Sequence, residues 1–323
     1  MNYSKMRNAV WITWEVQIRN RSMAKALDIP LFEILSNKSR ALKYPELIYK
    51  TLKVIRSEKI KILFVQNPSI VLSFLAIILK SIFKLTIVVD AHNSGIYPLE
   101  GRNRFLNFIA KFISKNADYV IVSNTYLADV VRAWKGEPIV IPDPIPKLHL
   151  ISTDKMKPQK PYIFFVCTWA DDEPFEAVIE AAKTIDIDIY FTGNYKKIFK
   201  DAIPDVPTNV KLLGFVSEES YIEYFYHSIV AMDLTTRENC LVCGAYEAIA
   251  LKKPMVLSDS LVNRELFSQG FVYTKNTAEA IGKSIMLAVD EHTELENKIS
   301  ELKEIYEAHH NSIITRLKEK LFN

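Results

Sequence analysis

The residues with the clearest chemical potential lie in one stretch, Thr235-Thr236-Arg237-Glu238-Asn239-Cys240-Leu241-Val242-Cys243-Gly244-Ala245-Tyr246-Glu247. It follows an apolar run over residues 228–234 that reads as a buried strand. The spacing predicts a helix opening near Gly244-Ala245, ending at Lys252-Lys253-Pro254 and followed by a strand over residues 255–258. A strand, a polar loop and a small-residue helix start form an anion site. The helix's first N–H groups and positive dipole end face whatever sits above the sheet. Glu247 falls about one turn inside, where a carboxylate can accept hydrogen bonds from the paired hydroxyls of a sugar. The same pattern also fits an ordinary βαβ unit, with Glu247 as an acid favoured by the helix dipole.

Four other loops carry polar groups at predicted strand ends. Cys167-Thr168-Trp169-Ala170-Asp171-Asp172-Glu173-Pro174 offers backbone N–H groups and the Thr168 hydroxyl to a diphosphate, or a plain helix cap at Asp171 or Asp172. Gly214-Phe215-Val216 offers a turn and an aromatic face. Asp90-Ala91-His92-Asn93 ends an apolar strand, where parallel sheets place functional loops. In Trp14-Glu15-Val16-Gln17-Ile18-Arg19-Asn20-Arg21, the two arginines suit an anionic acceptor or a solvated basic helix start. Cys240-x-x-Cys243 is one pair and cannot fill a tetrahedral zinc site by itself.

The stretch around Glu247 resembles the donor-binding signature of retaining group 1, family 4-like glycosyltransferases of the GT-B fold. In that family a Glu, seven residues and a second Glu precede Ala-x-Ala-x-Gly-x-Pro. Here Glu247 is followed by Ala248-Ile249-Ala250-Leu251-Lys252-Lys253-Pro254, with Lys252 where the family has glycine. Eight positions before Glu247 stands Asn239, with Glu238 one residue early. The resemblance implies a metal-independent enzyme that moves a sugar from a nucleotide diphosphate sugar to a lipid-linked or cell-surface glycan acceptor, with retention. It implies two doubly wound Rossmann-like domains facing a cleft, and a C-terminal helix returning to the first.

The implied catalytic residues are His92, Glu238 and Asn239, with Asn239 favoured over Glu238 as the sugar contact because it keeps the helix register. The implied donor contacts are Thr168, Trp169, Gly193, Asn194, Lys196, Phe215, Val216, Arg237, Cys243, Gly244, Ala245, Tyr246 and Glu247. The family usually places a basic residue near the loop at 168–174. None stands there, so Lys196 and Arg237 are the substitutes. The implied acceptor side is Glu15, Arg19, Arg21 and Asn93. No metal and no cofactor beyond the donor substrate are expected. Two other readings stand beside it: a non-hydrolysing nucleotide-sugar epimerase on the same fold, and a catalytically silent nucleotide-sugar-binding partner protein.

The elements needed to position these groups alternate in type. Strands are predicted over residues 9–14, 30–35, 61–66, 86–90, 119–123 and 139–141, with helices over 21–27, 45–56, 69–83, 103–114 and 125–134. The pattern restarts with strands at 162–167, 187–192 and 210–213 and helices at 174–184, 218–227 and 277–289, ending in a charged helix over 294–321. Near-continuous apolar strands separated by helices argue for parallel sheets covered on both faces. The expected boundaries are an acceptor-side domain over 1–146, a proline-marked linker over 147–160, a donor domain over 161–300 and a returning helix over 301–323.

Composition narrows the function classes. The 323 residues include only 8 glycines and no Gly-x-Gly-x-x-Gly after the first strand of either half, which disfavours NAD and FAD enzymes. No Gly-Lys-Ser/Thr loop supports a P-loop ATPase. Three cysteines suit a reducing compartment, and the charged start of the chain carries no secretory signal, so a cytoplasmic protein is expected. The net charge of +3 is unevenly spread. Residues 1–150 hold 22 Lys and Arg against 11 Asp and Glu; the remainder holds 19 against 27. With no nucleic-acid-binding motif in view, the basic half is expected to meet an anionic membrane surface peripherally, on its inner face.

Overall fold

The computed structural model describes residues 8–67, 69–149, 160–200 and 205–322, with Arg40 and Ala41 described by backbone alone. The chain divides into two compact units, Met1–Pro144 with His309–Asn323, and Ile145–Ala308.

The first unit runs β1 (Ala9–Thr13), α1 (Ile18–Leu27), β2 (Leu31–Glu33), α2 (Arg40–Ser57), β3 (Ile62–Gln66), α3 (Ile70–Phe83) and β4 (Thr86–Asp90). It continues with α4 (Asn93–Ile96), a 3-10 turn (Pro98–Gly101), α5 (Arg104–Asn116), β5 (Tyr119–Val122), α6 (Thr125–Ala133) and β6 (Pro138–Val140). Its strands form a parallel sheet in the order β2-β1-β3-β4-β5-β6. Successive strand residues point to opposite faces. Val10, Ile12, Leu63, Val65, Ile87 and Val89 therefore face a core shared with α2, α3, α5 and α6. Ala9, Trp11, Phe64 and Val88 face a second core completed by Met23 and Leu27 of α1 and by Ile314, Leu317 and Phe322.

The second unit runs β7 (Tyr162–Phe165), α7 (Phe175–Ala182), β8 (Asp188–Thr192), α8 (Lys196–Phe199), β9 (Val210–Gly214), α9 (Glu218–His227) and β10 (Val230–Asp233). Then follow α10 (Cys243–Leu251), β11 (Met255–Ser258), α11 (Leu261–Leu266), β12 (Phe271–Thr274), α12 (Ala278–Asp290) and α13 (His292–Phe322), whose residues from His309 onward belong to the first unit. The sheet order is β12-β11-β10-β7-β8-β9, again parallel. The order reverses direction between β7 and β10. Open α/β sheets bind ligands outside the carboxyl ends of the strands at such a switch point.

Several boundaries differ from the sequence expectations for physical reasons. α1 opens at Ile18, so Arg19 lies in its first turn rather than in a loop. α2 opens at Arg40, five residues before the expected start, and carries Pro45 at its sixth position, where the missing N–H leaves one intrahelical hydrogen bond unmade. The short elements α4, α8, α11 and β12 carry too few residues for periodicity to reveal. The expected linker lies largely outside the described residues. Of the part described, Leu148 packs on the core of the second unit, as does Ile145 just before the linker.

The strongest electrostatic tie in the first unit was not foreseen. Arg19, expected to hold an acceptor, is buried. Its Nε and Nη2 donate to Asp90 at 3.1 and 3.0 Å, its Nη1 donates to Asp143 at 2.6 Å, and Nη2 also donates to the Ile141 carbonyl at 3.0 Å. The guanidinium fork is spent inside the unit, joining α1 to the end of β4 and to the segment after β6. Burial alone would raise the Asp90 carboxyl. Arg19 and His92 outweigh it and hold the group well below the usual carboxylate range. Removing one partner of a buried pair leaves an uncompensated charge. Arg19→Met is therefore expected to cost about 3–5 kcal/mol in urea unfolding at neutral pH. Because the folded value of Asp90 is depressed, its contribution is present above the unfolded carboxylate pKa of about 3.9 and is lost as pH falls through the folded value. A loss under about 1 kcal/mol would show the fork to be dispensable.

Candidate functional site

Two loops meet at the switch point of the second unit. The loop after β7 reaches the loop after β10 through Asp172. Its Oδ2 accepts from the Thr235 hydroxyl at 2.7 Å, its carbonyl accepts from the Thr236 N–H at 2.7 Å, and its Oδ1 lies 3.3 Å from the Arg237 guanidinium. Asp172 is thus a clamp between loops. The residue preceding α7 is Pro174, which makes no side-chain cap.

The loop after β7 builds an anion cradle and fills it. Trp169 adopts a left-handed backbone conformation, φ 62°. The N–H groups of Thr168 and Ala170 then converge on the carboxylate of Glu173, at 2.8 and 3.1 Å, and the Thr168 hydroxyl donates to it at 2.8 Å. Successive N–H groups around a left-handed residue make an anion-binding concavity. Thr168 was expected to meet a diphosphate; here it holds the chain's own acid. Trp169 is not exposed to a ligand. It is buried, stacks on Phe191 at 5.7 Å and donates Nε1–H to the Thr192 carbonyl at 2.8 Å. Its expected donor contact is replaced by a scaffold role.

Gly193 sits where the loop after β8 passes the loop after β7. Its φ is 79°, and a Cβ there would fall 2.2 Å from the Cys167 carbonyl oxygen. The glycine serves backbone approach. Asn194 is exposed and its Oδ1 accepts from the Lys196 N–H at 3.2 Å. The cation that reaches the cradle is Lys197, whose Nζ lies 3.5 Å from the Thr168 carbonyl. Lys196, the residue expected from sequence, is exposed and is not the one at this loop.

At the start of α10 the pattern repeats. The Gly244 N–H donates to Asp233 Oδ2 at 2.9 Å, and a Cβ on residue 244 would fall 2.5 Å from that oxygen. The helix start expected to present its N–H groups to a ligand has already committed one. Burial pushes Asp233 well above the usual carboxylate range, helped by Glu173, Glu247 and Asp172, while the Gly244 N–H pulls the other way. Cys243 is exposed at the first helical position; Ala245 and Tyr246 face the core, with Tyr246 packed edge-on to Phe267 at 5.2 Å. Ala245 and Tyr246 therefore position the helix rather than line a site.

Glu247 is half-buried. Its Oε2 accepts from the Tyr221 hydroxyl of α9 at 2.5 Å. Burial raises its pKa, the Tyr221 hydrogen bond opposes the rise, and Glu218 adds to it. Phe215 follows Gly214, whose φ is 70°, and is 89% exposed; Val216 is half-buried. In the second loop Arg237 and Glu238 are exposed and Asn239 is half-buried. Sequence reading missed four participants: Glu173, Asp233, Tyr221 and Lys197. An acid at the last residue of β10, ten residues before a small-residue helix start, is the signal that could have found Asp233.

The first unit gathers its own polar groups at the switch between β1 and β3. Asn20 Nδ2 donates to Thr13 Oγ1 at 3.1 Å and to Gln66 Oε1 at 2.8 Å, and Gln66 donates to Gln17. Glu15 is exposed beside this network. Arg21 is not free for an acceptor, since Glu33 accepts from its Nε and Nη2 at 2.8 and 2.9 Å. His92 is half-buried, with Nε2 3.6 Å from Asp90 Oδ2, and Asn93 opens α4 beside it. Among the described residues no group of three or more His, Cys, Asp or Glu is arranged to hold a metal.

No family model matches the chain and no curated protein does. Solved structures do. Sucrose-phosphate synthase from Thermosynechococcus elongatus is 14% identical, with 97% of this chain and 98% of that one covered at a TM-score of 0.74. Anabaena HepE in complex with UDP is 12% identical, with 97% and 99% covered at 0.72; HepE has also been solved with UDP-glucose. A protein from Listeria monocytogenes described as a UDP-N-acetylglucosamine 2-epimerase is 12% identical, with 91% and 90% covered at 0.54. The likeness to the first two extends over the whole chain and shows the fold: this is a GT-B architecture of two Rossmann-like units with a long C-terminal helix.

Lys252 tests the register of the segment that carries Glu247. It ends α10 in the left-handed region, φ 57°, a conformation that suits glycine. Relieving a side chain in that region is expected to make Lys252→Gly more stable by about 1 kcal/mol in thermal or urea unfolding. A destabilised variant would argue that the Lys252 side chain makes a compensating contact.

Proposed function

We propose that the chain is a glycosyltransferase that moves a sugar from a nucleotide diphosphate sugar to a lipid-linked or cell-surface glycan acceptor, with retention and without a metal, on the inner face of a membrane. The observation that carries this reading is Glu247. A half-buried carboxylate stands in the first turns of α10 at the carboxyl edge of the sheet, oriented by Tyr221 and beside the switch point. That geometry suits a bidentate grip on a ribose. The exposed ring of Phe215, at the end of β9 on the same edge, suits a nucleobase face. The likeness in fold to HepE, solved with UDP and UDP-glucose, supports the same class of ligand.

In this reading the second unit holds the donor and the first holds the acceptor. A retaining transfer without a strong enzymic base draws its rate from stabilising the leaving diphosphate and fixing the sugar. Lys197 and Arg237 are the cations nearest the diphosphate loops. His92, on the carboxyl edge of the first sheet, is proposed as the catalytic histidine on the family resemblance alone. The occupied cradle favours a second reading. Glu173 sits where a phosphate would, as it would in a silent nucleotide-sugar-binding partner. Purified protein incubated with UDP-, GDP-, ADP- and dTDP-sugars separates the two. Release of nucleoside diphosphate supports the transferase, while binding without turnover, with acceptor extracts present, supports the silent partner.

Loss of a hydrogen bond to a charged group costs about 1.5–3 kcal/mol, so Glu247→Ala should weaken donor binding roughly 10- to 150-fold. Calorimetric titration of a folded variant with unchanged affinity would remove Glu247 from the site. The raised pKa of Glu247 sets the pH dependence. As pH falls through it, protonation removes an acceptor, and donor affinity should fall at a pH above the ordinary glutamate value of about 4.3. Between the two candidates for the sugar contact, Asn239→Ala should abolish most transfer while Glu238→Ala keeps most of it. The opposite ranking in a product assay would reassign the role.

A further inference from the structure

Two helices of the first unit show apolar side chains to solvent. On α3, Val71, Phe74, Ile78 and Ile82 are 37%, 39%, 49% and 66% exposed. Their spacing of three and four places them on one face, while Leu72, Ala76 and Leu79 fill the core on the other. On α5, Phe105, Phe108 and Phe112 are 69%, 66% and 38% exposed, with Ala110 and Ile113 buried behind them. α3 packs against α5, and the Phe74 and Phe112 rings meet at 5.7 Å, so the two stripes form one surface. Scattered exposed hydrophobes are ordinary; a joined surface of seven marks a contact.

The charge carried by the two helices has one sign. Neither α3 nor α5 contains an acidic residue. Arg104, Lys111 and Lys115 are exposed on α5, and Lys84 is exposed directly after α3. At that end of α3, Phe83 and Lys84 join Arg56, Lys59 and Lys61 around an open cavity of ≈ 470 Å³, with the Arg56 guanidinium 5.9 Å from the Phe83 ring centroid. Lys80 is not part of this set: it pairs with Asp118 at 2.8 Å and donates to the Asn116 carbonyl at 2.9 Å. The exposed stripe itself carries phenyl and aliphatic groups with no hydrogen-bonding atoms. It suits hydrocarbon better than a polar protein surface or nucleic acid.

We propose that the α3–α5 face is a membrane-docking surface that seats on an anionic lipid bilayer. Phe105 and Phe108 enter the interfacial region, and Arg104, Lys111, Lys115 and Lys84 lie at the phosphate level, their stems alongside the acyl chains. This deepens the membrane-side reading above and rests on it, yet needs no donor chemistry, because vesicle binding is read without substrate. No helix among the described residues is long and apolar enough to cross a membrane, so the contact is peripheral.

The test is sedimentation of the full chain with phosphatidylcholine vesicles, with and without phosphatidylglycerol, at low and high salt. The wild type should pellet with the anionic vesicles. The double variant Phe105→Ser, Phe108→Ser should lose about tenfold or more in partitioning at both salt concentrations, since apolar insertion is not screened. The variant Lys111→Glu, Lys115→Glu should lose binding at low salt and converge on the wild type at high salt. Ile305→Ser, another exposed apolar site but in the second unit, should bind as the wild type does. All variants should keep the wild-type melting temperature, because the altered side chains are exposed. The donor-induced thermal shift should be the same in the Phe105→Ser, Phe108→Ser variant, which separates a failure here from a failure of the donor reading. Three results would overturn the proposal: a wild type that stays in the supernatant, a Phe105→Ser, Phe108→Ser variant that pellets like it, or a wild-type dimer that this variant turns into a monomer.

Discussion

The second unit is organised around a buried carboxylate, Asp233, that has no paired cation among the described residues. Asp233 ends β10 inside the protein, and the charge it would carry is opposed by burial and by three neighbouring acids. Its hydrogen bond from the Gly244 N–H fixes where α10 starts, and the space it fills admits only glycine at residue 244. Once α10 is anchored there, Glu247 stands above the sheet edge within reach of Tyr221. The loop before the helix is held to the loop after β7 by Thr235 and Asp172. A helix start that serves an internal acid is a poorer anion site than its dipole suggests. In the proposed reading, the binding chemistry therefore rests on side chains and on the cradle at residues 168–170.

That cradle is filled by Glu173, which a diphosphate would have to displace. Displacement exchanges one set of charge-assisted hydrogen bonds for another, so the cradle N–H groups stay satisfied; the cost falls on desolvating the incoming diphosphate, and the released carboxylate regains water. Lys197 at the loop and Arg237, already paired with Asp172, are placed to balance the added charge. The unit therefore presents acids and nearby cations together. In the first unit the reverse holds. The buried cation Arg19 is consumed by Asp90 and Asp143, and the unit's surplus positive charge lies instead on α2 and α5.

The sequence made the architecture legible because parallel strands buried on both faces read as unbroken apolar runs, such as Ile87-Val88-Val89 and Tyr162-Ile163-Phe164-Phe165. Glu218–His227 and Met255–Ser258 lie where patterning placed them. What escaped was short or depended on contacts distant in sequence. β12 is four residues long and follows a short helix with no periodic signal. Arg19 looked like a surface cation because its partners stand 71 and 124 residues away. Trp169 looked like a ligand contact, since nothing local reveals that Phe191 and Thr192 enclose it. Glu173 stood inside the quoted loop, but only the left-handed turn at Trp169 makes it the occupant of that loop.

The central claim is that the switch point of the second unit is a nucleotide diphosphate site in which Glu247 grips the ribose. The direct test is a crystal structure of the protein with whichever of UDP, GDP, ADP or dTDP gives the largest thermal shift. The account predicts ribose hydroxyls within hydrogen-bond distance of Glu247, the base against Phe215, and phosphate oxygens on the Thr168 and Ala170 N–H groups, with the Glu173 carboxylate moved out. A nucleotide bound elsewhere, or Glu173 still seated in its cradle with no phosphate at that loop, would contradict it.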